Sequence, residues 1–225
     1  MRAQHSMIQT MITSRPRRGI TLVLVLLAVA SIAVPAIRHS ILRAAGRTLV
    51  VNECAGLADI IVISGESDGA GVLEASDLVH SGVAIRVAVF TYAPNAMERE
   101  FTRRGIPYED RTARFVRQLR SLGIVDVEQI PTYVTGTEDE GPALARWCDE
   151  QRFHSIVVVG NPDHSRRLRR VFHRSVKGHQ TTVAVCPTPY SGFDPGQWWN
   201  SHAGIRTEIM ESEKLFLDFV RHPIS

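Results

Sequence analysis

The chain has 225 residues, of which 44% are hydrophobic and 22% charged, with 26 basic and 23 acidic side chains. This length fits one domain, or one domain with an appendage. The composition excludes disorder, collagen-like repeats, a disulfide-dense miniprotein and a multi-span membrane protein. The first 57 residues carry a net charge of +6 and the remaining residues carry −3. A nucleic-acid binder carries its basic excess on the folded domain, so we expect no nucleic-acid partner.

The N-terminal segment contains an apolar run from Gly19 to Ile37, nineteen residues without a charge. As a helix this run is about 28 Å long, close to the hydrocarbon thickness of a bilayer. A cleaved signal peptide is the alternative to an anchor. The run is longer than the usual signal-peptide core and arginines follow it, which favours an uncleaved single-pass anchor. The predicted division is a basic tail (1–18), a transmembrane anchor (19–37), a linker (38–57) and an α/β domain (58–225).

The three cysteines, Cys54, Cys148 and Cys186, cannot all pair within one chain. None of them has the Cys-x-x-Cys or Cys/His spacing of a zinc site. Cys148 falls in a predicted helix and Cys186 at a predicted strand end, so both are interpreted as small core residues. The cysteines are therefore not predicted to be metal ligands.

Short, continuous runs of apolar and β-branched residues predict the strands of the domain. A run that is apolar on both faces is typical of a parallel sheet covered by helices on both sides. Four such runs lie at residues 58–64, 85–90, 155–160 and 181–187, and a fifth strand is predicted at 125–130.

Helical patterns separate these runs, at residues 73–80, 96–104, 112–121, 138–151, 163–173 and 207–220. The last helix is predicted to place Ile209, Phe216 and Phe219 against the core. Alternating strands and helices predict an α/β fold, a Rossmann-like, doubly wound and mostly parallel sheet with right-handed connections. Ligands of such sheets bind beyond the carboxyl ends of the strands, so the residues after each strand are the candidate site.

The loop after the first strand begins with Ser64, Gly65 and Glu66. Small residues let the backbone turn sharply and direct amide N–H groups toward a ligand, which favours anions. The loop has neither the spacing of a dinucleotide-binding fingerprint nor the lysine of a P-loop. A ligand-binding loop and a plain connection both remain open, and so does the identity of any cofactor.

The helix at 138–151 starts with Thr137, Glu138, Asp139 and Glu140. Thr137 and Glu140 have the spacing of a capping box, which explains that pair structurally. Three acids in one first turn exceed what capping requires. Glu138 or Glu140 is therefore a candidate general base, metal ligand or hydroxyl acceptor.

The helix at 163–173 is predicted to begin with Asp163 as its N-cap, followed by His164, Arg166 and Arg167. Cations in a first turn oppose the helix dipole, which suggests that they have another role. Arginine forks, helix amides and an imidazole together are suited to a phosphate or carboxylate. The arginines further along this helix are interpreted as a solvated basic face.

The order of these motifs resembles the YdcF-like family, which includes the SanA and ElyC envelope proteins. The resemblance rests on the apolar N-terminal run, the Thr137-Glu138 helix start, His164 with Arg167, and the later Trp198-Trp199, Glu208 and Lys214. It implies a Rossmann-like fold and a membrane-anchored role in the bacterial envelope. It also matches five residues to site positions of the family: Gly65, Thr137, Glu138, His164 and Arg167. The loop at Ser64–Ser67 departs from the glycine-richer run of that family.

From these residues we expect an envelope-maintenance protein that binds a phosphorylated or nucleotide-like metabolite and hydrolyses or transfers a phosphoester. Glu138 and His164 are the predicted catalytic residues. The predicted ligand-binding residues are Ser64, Gly65, Glu66, Thr137, Arg166 and Arg167. The expected location is the cytoplasmic membrane of a bacterium, with the domain on the extracytoplasmic side. The alternative is a non-catalytic envelope factor that senses a ligand or recruits a partner.

Overall fold

The computed structural model describes residues 15–54 and 56–223. It divides into a unit up to Ala44 and a second unit, Ala45–Ser225. The first unit contains helix α1 (Arg15–Ala33) and most of helix α2 (Pro35–Thr48). The last four residues of α2 belong to the second unit. Within the described residues, no helix meets the length and apolarity required of a membrane span. Most of the predicted basic tail lies outside the described residues, and the transmembrane anchor stays a prediction.

The second unit is an α/β domain built on five parallel strands, which confirms the predicted fold class. Every predicted strand is present. The strands are β1 (Ile60–Ile63), β2 (Val87–Tyr92), β3 (Val127–Val134), β4 (Ser155–Gly160) and β5 (Thr182–Pro187), in the spatial order β3-β2-β1-β4-β5. The order reverses between β1 and β4, so the crevice beyond the carboxyl ends of these two strands is the expected ligand position.

Six further helices accompany the sheet, each overlapping a predicted one. They are α3 (Asp68–His80), α4 (Ala96–Arg103), α5 (Arg111–Ser121), α6 (Thr137–Gln151), α7 (Pro162–Ser175) and α8 (His202–Arg221). One core lies between the sheet and α6 and α7, where Leu144, Leu168 and Phe172 are fully buried. A second core lies between the sheet and α3 and α5, with Phe115 and Leu119 inside it. The four residues of β1 are all buried because they contribute to both cores.

The two predicted helix caps are wrong. Gly136 is the N-cap of α6 and Thr137 is its first residue, so Thr137 and Glu140 form no capping box. Asn161 is the N-cap of α7, because Pro162 takes the first helical position, where its missing N–H costs nothing. The side chains that sequence spacing assigned to local caps are free to reach across the fold.

Residues 49–54, which we call the strap, belong to the domain although the sequence predicted a linker there. Leu49 is buried, and its carbonyl accepts from the amide of Arg166 at 3.0 Å. The amide of Glu53 donates to the carbonyl of Val185 at 2.8 Å, so the strap covers the open edge of β5. A disulfide joins Cys54 at the end of the strap to Cys186. Cys186 is a buried core residue, as predicted, and the sequence did not predict its disulfide, whereas Cys148 is a free, buried cysteine.

Helix α8 packs with the opposite face from the one predicted. Ile209, Phe216 and Phe219 are 59%, 66% and 44% exposed, so their assignment to the core is wrong. The buried face of α8 consists of Gly204, Glu208, Glu211, Leu215 and Asp218. Three of these residues are acids, and two of them pair with basic residues of α7. Charge pairing, rather than apolar burial, therefore fixes the rotation of α8.

Neighbouring residues on α8 provide a direct test of this rotation. We expect Leu215→Ala to lower the free energy of unfolding by about 2–3 kcal/mol, because it removes a side chain buried with Leu49 and Phe193. We expect Phe216→Ala to change it by no more than about 0.5 kcal/mol, because Phe216 faces solvent. Urea denaturation of both variants measures the difference, and a larger loss for Phe216→Ala would contradict the packing.

Candidate functional site

The polar residues at the carboxyl edge of the sheet come from the segments after β1, β3 and β4, and α8 completes the group. Two buried clusters form there. One surrounds His164 at the start of α7, and the other surrounds Glu140 in the first turn of α6. Thr137 and Glu140 lie three residues apart, on one face of α6, so this single helix start connects the two clusters.

His164 lies at the centre of a three-residue hydrogen-bond chain, which we call the relay. Its Nε2 atom lies 3.1 Å from Thr137 Oγ1, and its Nδ1 atom lies 3.0 Å from Glu211 Oε2. An ionised carboxylate only accepts hydrogen bonds, so Nδ1 carries a proton. In the neutral imidazole Nε2 is then the acceptor for the Thr137 hydroxyl. The relay therefore has the order hydroxyl, base and orienting carboxylate that activates a nucleophile in many enzymes.

Glu211 is held as a carboxylate although it is buried. Burial alone would raise its pKa, but the hydrogen bond from His164 and the contacts of Lys214 and Arg167 lower the pKa of Glu211 to about 2. Lys214 Nζ lies 2.6 Å from Oε1, and Arg167 Nε lies 3.3 Å from Oε2. A fixed negative charge beside Nδ1 keeps the proton on that nitrogen and leaves Nε2 facing the Thr137 hydroxyl.

Glu140 is fully buried and accepts three hydrogen bonds. The donors are Ser64 Oγ at 3.0 Å, the Gly65 amide at 3.2 Å and Tyr92 Oη at 2.7 Å. Burial raises the pKa of Glu140, and these hydrogen bonds oppose that rise. Glu140 thus locks the loop after β1 onto α6. A Cβ at Gly65 would lie 2.1 Å from Tyr92 Oη, so this contact requires glycine.

Asp163, at the start of α7, interacts electrostatically with three other acids, Glu66, Glu208 and Glu211. Asn161 Nδ2 donates to the carbonyl of Glu66 at 2.8 Å. Burial is the main cause of the raised pKa of Asp163 and also of Glu208. In the part of the chain that the structure describes, Asn161 Oδ1 and Glu208 Oε2 are buried without a partner. Buried acceptors are rarely unsatisfied, so a donor from a ligand or water belongs here.

An open cleft of about 220 Å³ borders the relay. Arg167 and Lys214, the two cations that hold Glu211, line it together with Glu138 and Arg221. Glu138 pairs with Arg174 at 3.0 Å, and its side chain is 59% exposed. The lining thus has three cations and two acids, Glu138 and Asp218, and its cationic part is suited to an anionic group.

The structure brings most of the predicted site residues together. Ser64 and Gly65 lie at the Glu140 cluster, Thr137 and His164 form the relay, and Glu138 and Arg167 line the cleft. Two predicted residues take other roles. Arg166 donates to the carbonyls of Thr48 and Val50 and so holds the strap, and Glu66 contributes its backbone carbonyl while its side chain is exposed.

Residue-by-residue interpretation of the sequence did not find Glu211 or Tyr92. Glu208 and Lys214 entered only through the family resemblance. One pattern in the sequence could have indicated these α8 residues, because the spacing of Glu208, Glu211 and Asp218 places three acids on one face of the helix. Potential metal ligands within the described residues come together at Cys54, Glu74 and Cys186, away from the relay.

The low pKa of Glu211 makes a testable contribution to stability. Its folded pKa is about 2 against an ordinary value of 4.5, so the charge stabilises the protein above about pH 4.5 and this stabilisation is lost as the pH falls toward 2. We expect Glu211→Gln to lower the free energy of unfolding at pH 7 by about 1–3 kcal/mol. The difference from wild type should shrink below pH 4.5.

Glu213→Gln is the matched control, because Glu213 lies on the exposed side of the same helix. Urea denaturation of the three proteins between pH 3 and pH 7 measures both differences. The raised pKa of Glu208 is common to all three proteins, whereas the pKa of Asp163 falls in Glu211→Gln because the charge of Glu211 is one cause of its rise. A difference for Glu211→Gln that does not depend on pH would contradict the assigned charge state.

Comparison with protein-family profiles finds no match for this chain, and comparison with curated proteins finds none either. Among solved structures, a universal stress protein in complex with cAMP is similar to 61% of this chain and to 100% of its own chain. The identity is 18% and the TM-score is 0.35. At this level the likeness carries no argument about the ligand of this chain.

Proposed function

We propose that the domain binds a small phosphorylated or nucleotide-like metabolite in the cleft and hydrolyses or transfers its phosphoester. The relay, with the orienting carboxylate already in contact with two cations of the cleft, is the observation that carries the proposal. The phosphoryl oxygens bind Arg167 and Lys214. These two side chains then form hydrogen bonds to the ligand in place of some of their hydrogen bonds to Glu211. Binding and proton transfer are thereby coupled through one carboxylate.

The relay and the cleft divide the chemistry into two steps. Thr137 Oγ1 attacks phosphorus while His164 takes its proton, and Glu211 stabilises the imidazolium that forms. The bond from phosphorus to the leaving oxygen breaks in this step, and the imidazolium returns the proton to that oxygen. Glu138, exposed beside the cleft, then orients a water or an acceptor hydroxyl that releases the phosphoryl group from threonine. Thr137 is buried in this structure, so access to it requires the ion pairs at the cleft to open on binding.

A second candidate is a non-catalytic ligand sensor. The burial of Thr137 and His164 and the internal pairing of Arg167 and Glu138 favour it. In that case the ligand competes for Arg167 and Lys214 and weakens their hold on Glu211 of α8. The output is a change in the packing of α8 rather than a product.

Variants of Thr137 distinguish the two candidates. We expect the wild-type protein to release phosphate from at least one member of a panel of nucleotides, sugar phosphates and lipid-carrier diphosphates. The rate of release should fall by about 10²-fold or more in Thr137→Val, and Thr137→Ser should retain it. Glu138→Gln should slow release and accumulate phosphothreonine, which mass spectrometry detects. Glu150→Gln, exposed at the far end of α6, is the matched control with unchanged turnover.

Saturable binding without phosphate release would assign the sensor function instead. Thermal shift measures that binding, because a ligand at 100 times its dissociation constant stabilises the protein by about 2.7 kcal/mol. Release that continues unchanged in Thr137→Val would contradict the role of the relay.

We also propose that the N-terminal unit attaches the domain to a membrane, with the domain on the extracytoplasmic side. Leu24, Leu26 and Leu27 of α1 are all more than half exposed, as an apolar helix surface is before it meets lipid. The Cys54–Cys186 disulfide supports an oxidising compartment. The envelope role rests on the resemblance to the YdcF-like family.

Fractionation tests this attachment. We expect the full chain to sediment with membranes and to resist extraction by high salt, because apolar burial does not depend on ionic strength. The fragment Ala45–Ser225 should stay in the supernatant. Thiol alkylation of the full chain before and after reduction reports whether the disulfide is present. A full chain that behaves like the fragment would contradict the proposal.

A further inference from the structure

A group of two sulfurs and one carboxylate lies on the other side of the sheet from the relay. Cys54 ends the strap, Cys186 belongs to β5, and Glu74 belongs to α3. The Oε1 atom of Glu74 lies 3.5 Å from the Sγ atom of Cys186. The ligand atoms of all three residues lie within 4.8 Å of one another. Three distant parts of the chain thus converge on one point.

Glu74 has no evident structural reason to be there. In residues 15–54 and 56–223 no arginine, lysine or histidine forms an ion pair with it, and Asp77, another acid, is its charged neighbour. Its pKa is raised by burial first and by Asp77 second. Partial burial of a carboxylate without a cation is unfavourable. The placement indicates a role toward the sulfurs.

The distances suit a tetrahedral metal site. With Zn–S near 2.3 Å and Zn–O near 2.0 Å, a sulfur and an oxygen bound to the same zinc lie about 3.5 Å apart. The Glu74–Cys186 distance already has this value. Two zinc-bound sulfurs lie about 3.8 Å apart, so the disulfide bond has to break before a metal binds.

We propose that reduction of the Cys54–Cys186 disulfide creates a Zn²⁺ site formed by the two thiolates and the carboxylate of Glu74, with a fourth position open to water. A dithiol supplies two electrons and two protons, becomes a disulfide itself and leaves two cysteine thiols. Zn²⁺ then binds both sulfurs as thiolates and releases two protons to water. The site is redox-gated, because the same sulfurs are either bonded to each other or bound to the metal.

Cobalt spectroscopy on the full chain tests the proposal. After reduction with a phosphine, Co²⁺ should give the thiolate charge-transfer band and the visible bands of a tetrahedral site, with one cobalt per chain, and Zn²⁺ should displace it. The oxidised protein should give none of these bands. We expect Glu74→Gln to weaken binding by more than the roughly tenfold loss caused by removing an outer-shell partner.

Two matched controls locate the site. Glu150→Gln, which changes an exposed acid of α6, and Cys148→Ala, which removes the free cysteine, should both bind cobalt as wild type does. Wild-type affinity in Glu74→Gln would overturn the assignment of the carboxylate. Bands that persist in Cys54→Ser, or that are absent from the reduced wild type, would overturn the site. So would loss of the helical circular dichroism on reduction, because the fold is what brings Glu74 to the sulfurs.

Discussion

The pairing of acids on α8 with bases on α7 is the interaction on which the rest of the domain depends. Asp218 is bound by Arg170 and by Arg174, and Glu211 is bound by His164 and Arg167. Carboxylates that lose water must recover its hydrogen bonds from the protein, since a buried charge left without a partner is strongly destabilising. These pairs therefore fix which face of α8 turns inward, and the same rotation supplies the carboxylate that orients His164. The ion pairs between α7 and α8 therefore determine both the packing of the last helix and the geometry of the relay.

The arginines of α7 have separate tasks because successive helical residues point about 100° apart. Arg166 and Arg169 hold the strap, through backbone carbonyls and through Glu53, whereas Arg167 and Arg170 face α8. The sequence predicted that the arginines beyond Arg167 form a solvated basic face, and this prediction is wrong for Arg170 and Arg174, which form ion pairs with Asp218. Only Arg167 combines an internal ion pair with a position on the cleft. The mildly acidic charge of the domain is consistent with this use of arginine.

Sequence patterns predicted the sheet because continuous β-branched runs have few other ways to bury both faces. The patterns did not predict the buried face of α8. They assigned the apolar Phe216 and Phe219 to the core, whereas the residues that pack against α7 are acids paired with bases. They also failed for Glu140, whose spacing from Thr137 fits a local capping box. Its actual donors, Ser64 and Tyr92, lie 76 and 48 residues away, and no local rule contains that information. Sequence spacing placed the candidate residues at the strand ends, and partners distant in sequence decided which contacts each of them makes.

The first turn of α6 shows how these constraints divide adjacent acids. Glu138 and Glu140 are two residues apart, so they point to nearly opposite sides of the helix. Thr137 and Glu140 share the inward side, and both contact the sheet edge, through His164 and through Ser64. Glu140 is buried and holds the loop after β1, whereas Glu138 lines the cleft and is exposed to solvent. A carboxylate that must act on a ligand has to be the exposed one, because the buried one is already saturated with hydrogen bonds. In one helix turn, Glu140 therefore has a structural role in holding the loop after β1, and Glu138 is the acid that a ligand in the cleft can contact.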